Sequence, residues 1–85
     1  MVKSIRLSAH ARENMGSRGA TEQEVVEAIR TASWARAELG RLDCRKDFAY
    51  GQYWHDRFYI TKQVRPIFVD EAHEIVVVTV YVYYF

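Results

Sequence analysis

The sequence predicts an α+β fold, with two N-terminal helices packed on one face of an antiparallel sheet of about four strands. Three observations carry this. Apolar residues recur at helical spacing only in the first part of the chain. All twelve aromatic residues lie at or after Trp34. The second half is dense in β-branched and aromatic residues and closes on ten of them in a row, Ile75 to Tyr84. Helices followed by consecutive strands segregate into α+β rather than an alternating parallel architecture. Eighty-five residues fit one domain, 1–85, with a small core.

Ile5 and Leu7 alternate with polar residues and make an extended lead-in. Ser8 is a good N-cap, and Ala11 and Met15 repeat at i, i+4 before Gly16 and Gly19, which places a first helix at about 9–16. Thr21-Glu22-Gln23-Glu24 has the spacing of a capping box, in which Thr21 caps the Glu24 amide and the Glu24 carboxylate reaches back. Val25, Val26, Ile29 and Ala32 then form one apolar stripe, so a second helix covers about 22–32. A connection ends at Gly40. Strands are predicted at 41–50, 54–62, 64–70 and 75–84, with a turn at Gly51-Gln52. Pro66 lacks an N–H and needs a place where no ladder bond is donated. In the last strand Val76, Val78, Val80 and Val82 share one face, expected beneath the helices. Ile75, Val77, Thr79, Tyr81 and Tyr83 share the other.

Composition narrows the class. Hydrophobic residues make up 49 % and charged residues 27 % of the chain, which is globular rather than disordered. No apolar run approaches a bilayer span, and the first residues lack a signal-peptide core. One cysteine, Cys44, excludes an intrachain disulfide or a cysteine zinc cluster, and the three histidines show no metal-ligand spacing. The expectation is a cytoplasmic protein without metal or cofactor.

Net charge is +1 but uneven: residues 1–20 carry +3, 21–40 carry −2, 41–65 carry +3 and 66–85 carry −3. The two basic segments form one cationic face if the fold brings them together, as an anionic ligand requires.

The block from Ser8-Ala9-His10-Ala11-Arg12-Glu13-Asn14-Met15 through Gly16-Ser17-Arg18-Gly19, followed by Thr21-Glu22-Gln23-Glu24-Val25 and Ala28-Ile29, resembles the opening of the bacterial domain-of-unknown-function family numbered 4258. Gly40-Arg41 and Val77-Val78-Thr79-Val80-Tyr81 resemble its later blocks. Families of this type are grouped with small toxin-like ribonucleases of the barnase, RelE and BrnT kind. The resemblance therefore implies metal-independent RNA cleavage and a neutralising protein partner.

Such cleavage needs a base, phosphate-binding cations and an acid. His10 is the candidate acid or base because its reference pKa lies near neutrality. Arg12 and Arg18 are candidates to hold the phosphate. Lys46, Lys62 and Arg65 add charge from the sheet, Thr79 and Tyr81 supply hydroxyl donors, and Tyr81 or Trp54 offers a surface for base stacking. Arg12 and Arg18 read equally as ion-pair partners of Glu13 or of second-helix glutamates, and Lys46, Lys62 and Arg65 as solvated charges. The near-neutral pI of about 7.9 weighs against a strongly basic ribonuclease. The alternatives are a non-catalytic RNA- or protein-binding module and a homo-oligomeric protein. The density of Val and Tyr in the last strand predicts a homodimer through that strand.

Overall fold

The computed structural model describes residues 2–85. Its elements are β1 (Ser4–Leu7), α1 (Ala9–Arg18), α2 (Glu22–Thr31), β2 (Ala35–Arg36), a 3-10 turn (Glu38–Gly40), β3 (Leu42–Asp43), β4 (Lys46–Trp54), β5 (Arg57–Asp70) and β6 (Glu74–Tyr84). Both helices begin where the side chains dictate. The Ser8 hydroxyl accepts the Ala11 amide, and Thr21 and Glu24 complete the reciprocal capping box. Gly19, at φ 83°, ends α1 in the left-handed conformation that glycine adopts without a Cβ penalty.

The class is α+β with two helices, and the sheet has six strands rather than four. It is also mixed. β1 pairs with β6 in parallel, and every other pairing is antiparallel. The order is β1-β6-β5-β3-β2, with β4 on β5 along the same edge as β3. Gly51-Gln52 is not a turn. Gly51, at φ 62°, lies in a bulge of β4, and the hairpin reverses two residues beyond Trp54, where Trp54 opposes Arg57. The two strands expected at 54–62 and 64–70 are one strand, β5. Pro66 interrupts nothing there, because the neighbouring edge is itself broken: β3 pairs with Ile67 and Phe68, and β4 takes over at Val64.

β6 does not keep one face along its length. The register with β5 shifts between Ile67 and Phe68, leaving Val78 as an extra residue. Before this bulge Ile75 and Val77 point to the helices; after it Val80 and Val82 do. Thr79, Tyr81 and Tyr83 occupy the open face, opposite Ile67, Arg65 and Gln63. The all-valine face is therefore half right. Val80 and Val82 lie beneath the helices, and Val76 and Val78 do not belong to that core. Strict alternation fails wherever one residue is left unpaired. The core joins Ala11 and Met15 of α1, Val25, Ala28 and Ile29 of α2, and Val64, Phe68, Ile75, Val77 and Val80 of the sheet, with Leu7 and Cys44.

β6 lies between β1 and β5, and β1 covers its outer edge over Glu74–Val77. Beyond Leu7, where β1 stops, α1 takes its place. The Ser8 amide donates to the Val77 carbonyl and the Ser8 hydroxyl to that of Val78. The Asn14 carboxamide oxygen accepts the Val80 amide at 3.3 Å and the Thr79 hydroxyl, and Arg18 donates to the Val80 carbonyl at 2.8 Å. A helix with polar side chains on one flank thus satisfies the edge as far as Val80. The exposed aromatic face of β6 remains.

Two substitutions test this packing. Ile29→Ala should destabilise by about 2–5 kcal/mol as a large-to-small change in the core. Asn14→Ala should cost about 1–3 kcal/mol by leaving the buried Val80 amide without an acceptor. Urea unfolding measures both, and an Asn14→Ala variant as stable as wild type would contradict the sealed edge.

Candidate functional site: an arginine–tyrosine groove on the open sheet face

The open face of β5 and β6 is overhung by the segment from Arg36 to Arg41. Leu39 (φ 61°) and Gly40 (φ 72°) bend this segment. The groove between them, about 540 Å³, is lined by Arg36, Glu38, Leu39, Arg41, Arg65, Ile67, Thr79 and Tyr81 among others. Tyr81 is the centre of its charged wall. The Arg65 guanidinium carbon lies 5.5 Å from the ring centroid, and that of Arg18, from the α1 flank of β6, lies 5.1 Å away. Cation–π attraction of this kind holds guanidinium groups in place without neutralising them.

The two arginines differ in availability. Arg65 is fixed. Its Nε and Nη2 bind the Asp43 carboxylate at 2.8 and 2.7 Å, and its Nη1 donates to the Tyr83 hydroxyl at 3.3 Å. The hydrogen bonds to Tyr83 and Asp43 push its pKa up. Arg18 gives one N–H to the Val80 carbonyl and has no carboxylate partner among the described residues. The same holds for Arg36 and Arg41 at the rim. Further along the face, Arg45 lies 5.7 Å from the Tyr83 ring. Arg18 from the first basic segment and Arg41, Arg45 and Arg65 from the second thus meet on one face.

Of the residues expected to act together, the fold gathers Arg18, Arg65, Thr79 and Tyr81. The others lie elsewhere. His10 is exposed on the first turn of α1, outside the groove lining. It precedes Arg18 by eight residues, a rise of about 12 Å along the helix. Arg12 is spent on the surface ion pair with Glu22. Lys46 and Lys62 belong to the helix-covered side of the sheet, because alternation from Val64 places them there. Lys46 faces Glu27 at 3.7 Å. Lys62 is buried, donating to the Gly19 carbonyl at 2.9 Å and to Glu24 at 2.8 Å. Trp54 is no free stacking platform. It stacks on Tyr84 at 4.8 Å and 14°, in a cluster with Tyr50 and Tyr59. Arg36, Arg41 and Glu38 were missed, because the segment around Gly40 reads as a connection. Its one available signal was a pair of arginines flanking a glycine.

The aromatic cluster closes on the turn between the helices. The Tyr84 hydroxyl donates to the Arg18 carbonyl at 2.7 Å. A Cβ on Gly19 would meet that hydroxyl at 2.5 Å and Trp54 at 2.7 Å. Burial pushes the Tyr84 hydroxyl up to about 12, with Tyr50 and Glu24 adding to the shift. Burial likewise pushes the Cys44 thiol up to about 11, aided by Asp43, which makes it a packing residue rather than a nucleophile. Among the described residues no three His, Cys, Asp or Glu side chains gather as a metal site, and no helix is long and apolar enough to cross a membrane.

No family model matches the chain, and neither the curated proteins nor the solved structures contain a match. None of the three comparisons supports the family resemblance of the Ser8–Gly19 block.

Gly19→Ala should destabilise by more than the roughly 1–2 kcal/mol of a left-handed alanine, because the new methyl also displaces Trp54 and Tyr84. Gly16→Ala, in open space within α1, should instead stabilise by about 0.5–1 kcal/mol. Thermal unfolding that gave the two changes the same sign would contradict the close approach at Gly19. Alkaline conditions provide an independent check. Cys44 and Tyr84 keep their protons in the fold beyond the ordinary values of 9.0 and 10.0, whereas the unfolded chain releases them there. Their contribution to stability is present below those values and is lost as the pH rises towards about 11 and 12. Denaturant midpoints should fall over that window, and a flat profile would refute the burial of both groups.

Proposed function

We propose that the protein binds single-stranded RNA along the open face of its sheet, without cleaving it. One observation carries this reading: Arg36 and Arg41 line one groove without a carboxylate partner among the described residues, and Arg18, equally without one, lies over Tyr81 at its wall. Cations without carboxylate partners along one groove favour a polyanion. The fixed Arg65, with Tyr81 and Tyr83, supplies the rigid floor. Arg18, Arg36 and Arg41 supply N–H donors for phosphate, and Thr79 and the tyrosine edges line the path of the strand.

Metal-independent endoribonuclease activity, with His10 as acid or base, is the second reading. It is favoured by the toxin-like resemblance and by a carboxylate, Glu38, in the groove. The distance along α1 weighs against it, since a phosphate held at Arg18 lies about two helical turns from His10. A neutralising protein partner belongs to this second reading.

Three phosphate contacts on a single strand give a salt dependence with a slope of about −2 in log affinity against log salt. Fluorescence anisotropy with a labelled single-stranded RNA should show that slope. Arg36→Ala or Arg41→Ala should make it shallower by roughly 0.7 each. His10→Ala should leave both affinity and RNA length unchanged. A salt-independent affinity would sink the binding reading. RNA shortened by wild type but not by His10→Ala would replace it with the nuclease.

A further inference from the structure

β4 is bonded to β5 on one side only, so the outward backbone groups from Lys46 to Trp54 have no strand partner among the described residues. β6 stops at the level of Thr61, where Phe85 and Thr61 exchange backbone hydrogen bonds at 2.8 and 3.0 Å. The hairpin beyond that level is a two-stranded ribbon projecting from the sheet, and the molecule is 42 Å long but only 24 and 23 Å across. Isolated two-stranded ribbons are marginal in water. Tyr50, Trp54 and Tyr59 anchor one side of this one on Tyr84, but its other large apolar side chains face outward. Tyr53 is 68 %, Phe58 55 % and Ile60 72 % exposed, and Phe85 beside them is 57 % exposed.

We infer that this hairpin is the contact surface for a second copy of the chain, through antiparallel pairing of β4 with β4 across a two-fold axis. Charge selects the occupant. Between Phe48 and Thr61 the formally charged residues are Asp56 and Arg57 at the tip, and they cancel. A nucleic acid finds no cationic excess there, and a strongly charged protein finds no complement. The edge is compatible with itself. Its charges sit at one end, Lys46-Asp47, and its other end is the uncharged Tyr53-Trp54. Antiparallel pairing lays each charged end beside the partner's aromatic end, so no like charges meet. Closed two-fold pairing also removes the free edge instead of propagating it. The groove with Arg36 and Arg41 is built on the other part of the sheet, and dimerisation leaves it open.

Sedimentation equilibrium on the full chain, from low to high micromolar, tests the inference. Wild type should be dimeric at the upper end. Tyr53→Lys and Ile60→Lys, both at exposed positions, should be monomeric with unchanged far-ultraviolet circular dichroism. Protection of β4 amides from hydrogen exchange should rise with wild-type concentration, a readout independent of any variant. A wild type that is monomeric throughout, a dimer that survives both lysines, or β4 exchange independent of concentration would overturn it. The RNA salt slope of the monomeric variants should match that of wild type, so failure of the dimer and failure of RNA binding are distinguished.

Discussion

One carboxamide oxygen, that of Asn14, sets the geometry on which the rest of the molecule depends. β6 is the spine of the sheet, yet its parallel neighbour β1 is only four residues long. Past Leu7 the backbone of β6 would face water or another chain. Asn14 accepts the Val80 amide there and the Thr79 hydroxyl beside it. That contact draws α1 against the edge. With α1 in place, Arg18 reaches over Tyr81 on the open face, while Ala11 and Met15 enter the core on the other. A helix acting as an edge seal therefore supplies both the hydrophobic face and the cationic one. A buried polar group is costly unless paired, and this one is paired twice.

The bulge at Val78 is the second constraint. It lets a single strand serve two different surfaces, since Ile75 and Val77 fill the core below it and Val80 and Val82 fill the core above it. Without the extra residue, Thr79 and Tyr81 would point into the helices. The groove exists because alternation is broken once. The other bulge, at Gly51, lies in β4 where the hairpin runs on past the end of β6.

Local chemistry made the helices legible, because caps and stripes are short-range. The capping box at Thr21 and Glu24 and the N-cap at Ser8 form as their spacing implies. The last strand was equally plain. What sequence could not convey was the parity of that strand, since a bulge leaves no mark in a run of valines. It also could not convey the side on which each lysine falls. Lys62 alternates with Val64 and is buried against Glu24 and Gly19 by register alone, although lysine composition argues for solvent. Within the candidate site, Thr79 and Tyr81 were recoverable because alternation holds above the bulge, and Arg18 because Gly19 ends the first helix beside it. Arg36 and Arg41 were not, because their position depends on how an irregular segment folds back over the sheet.

The wiring of β1 and α1 onto β6 also bears on how the chain is made. Ser8, Asn14 and Arg18 find their partners 62 to 70 residues later in the chain. The turn at Gly19 is closed by Tyr84. During synthesis from the N-terminus, α2 has no surface to rest on until β5 has emerged, and α1 none until β6 has. The two helices are each ten residues long, too short to persist alone in water. Folding is thus held back until translation of this segment is nearly complete, and the nascent chain exposes its valine- and tyrosine-rich strands throughout that interval. A chain of this topology depends on rapid closure once β6 has emerged, or on a chaperone until then.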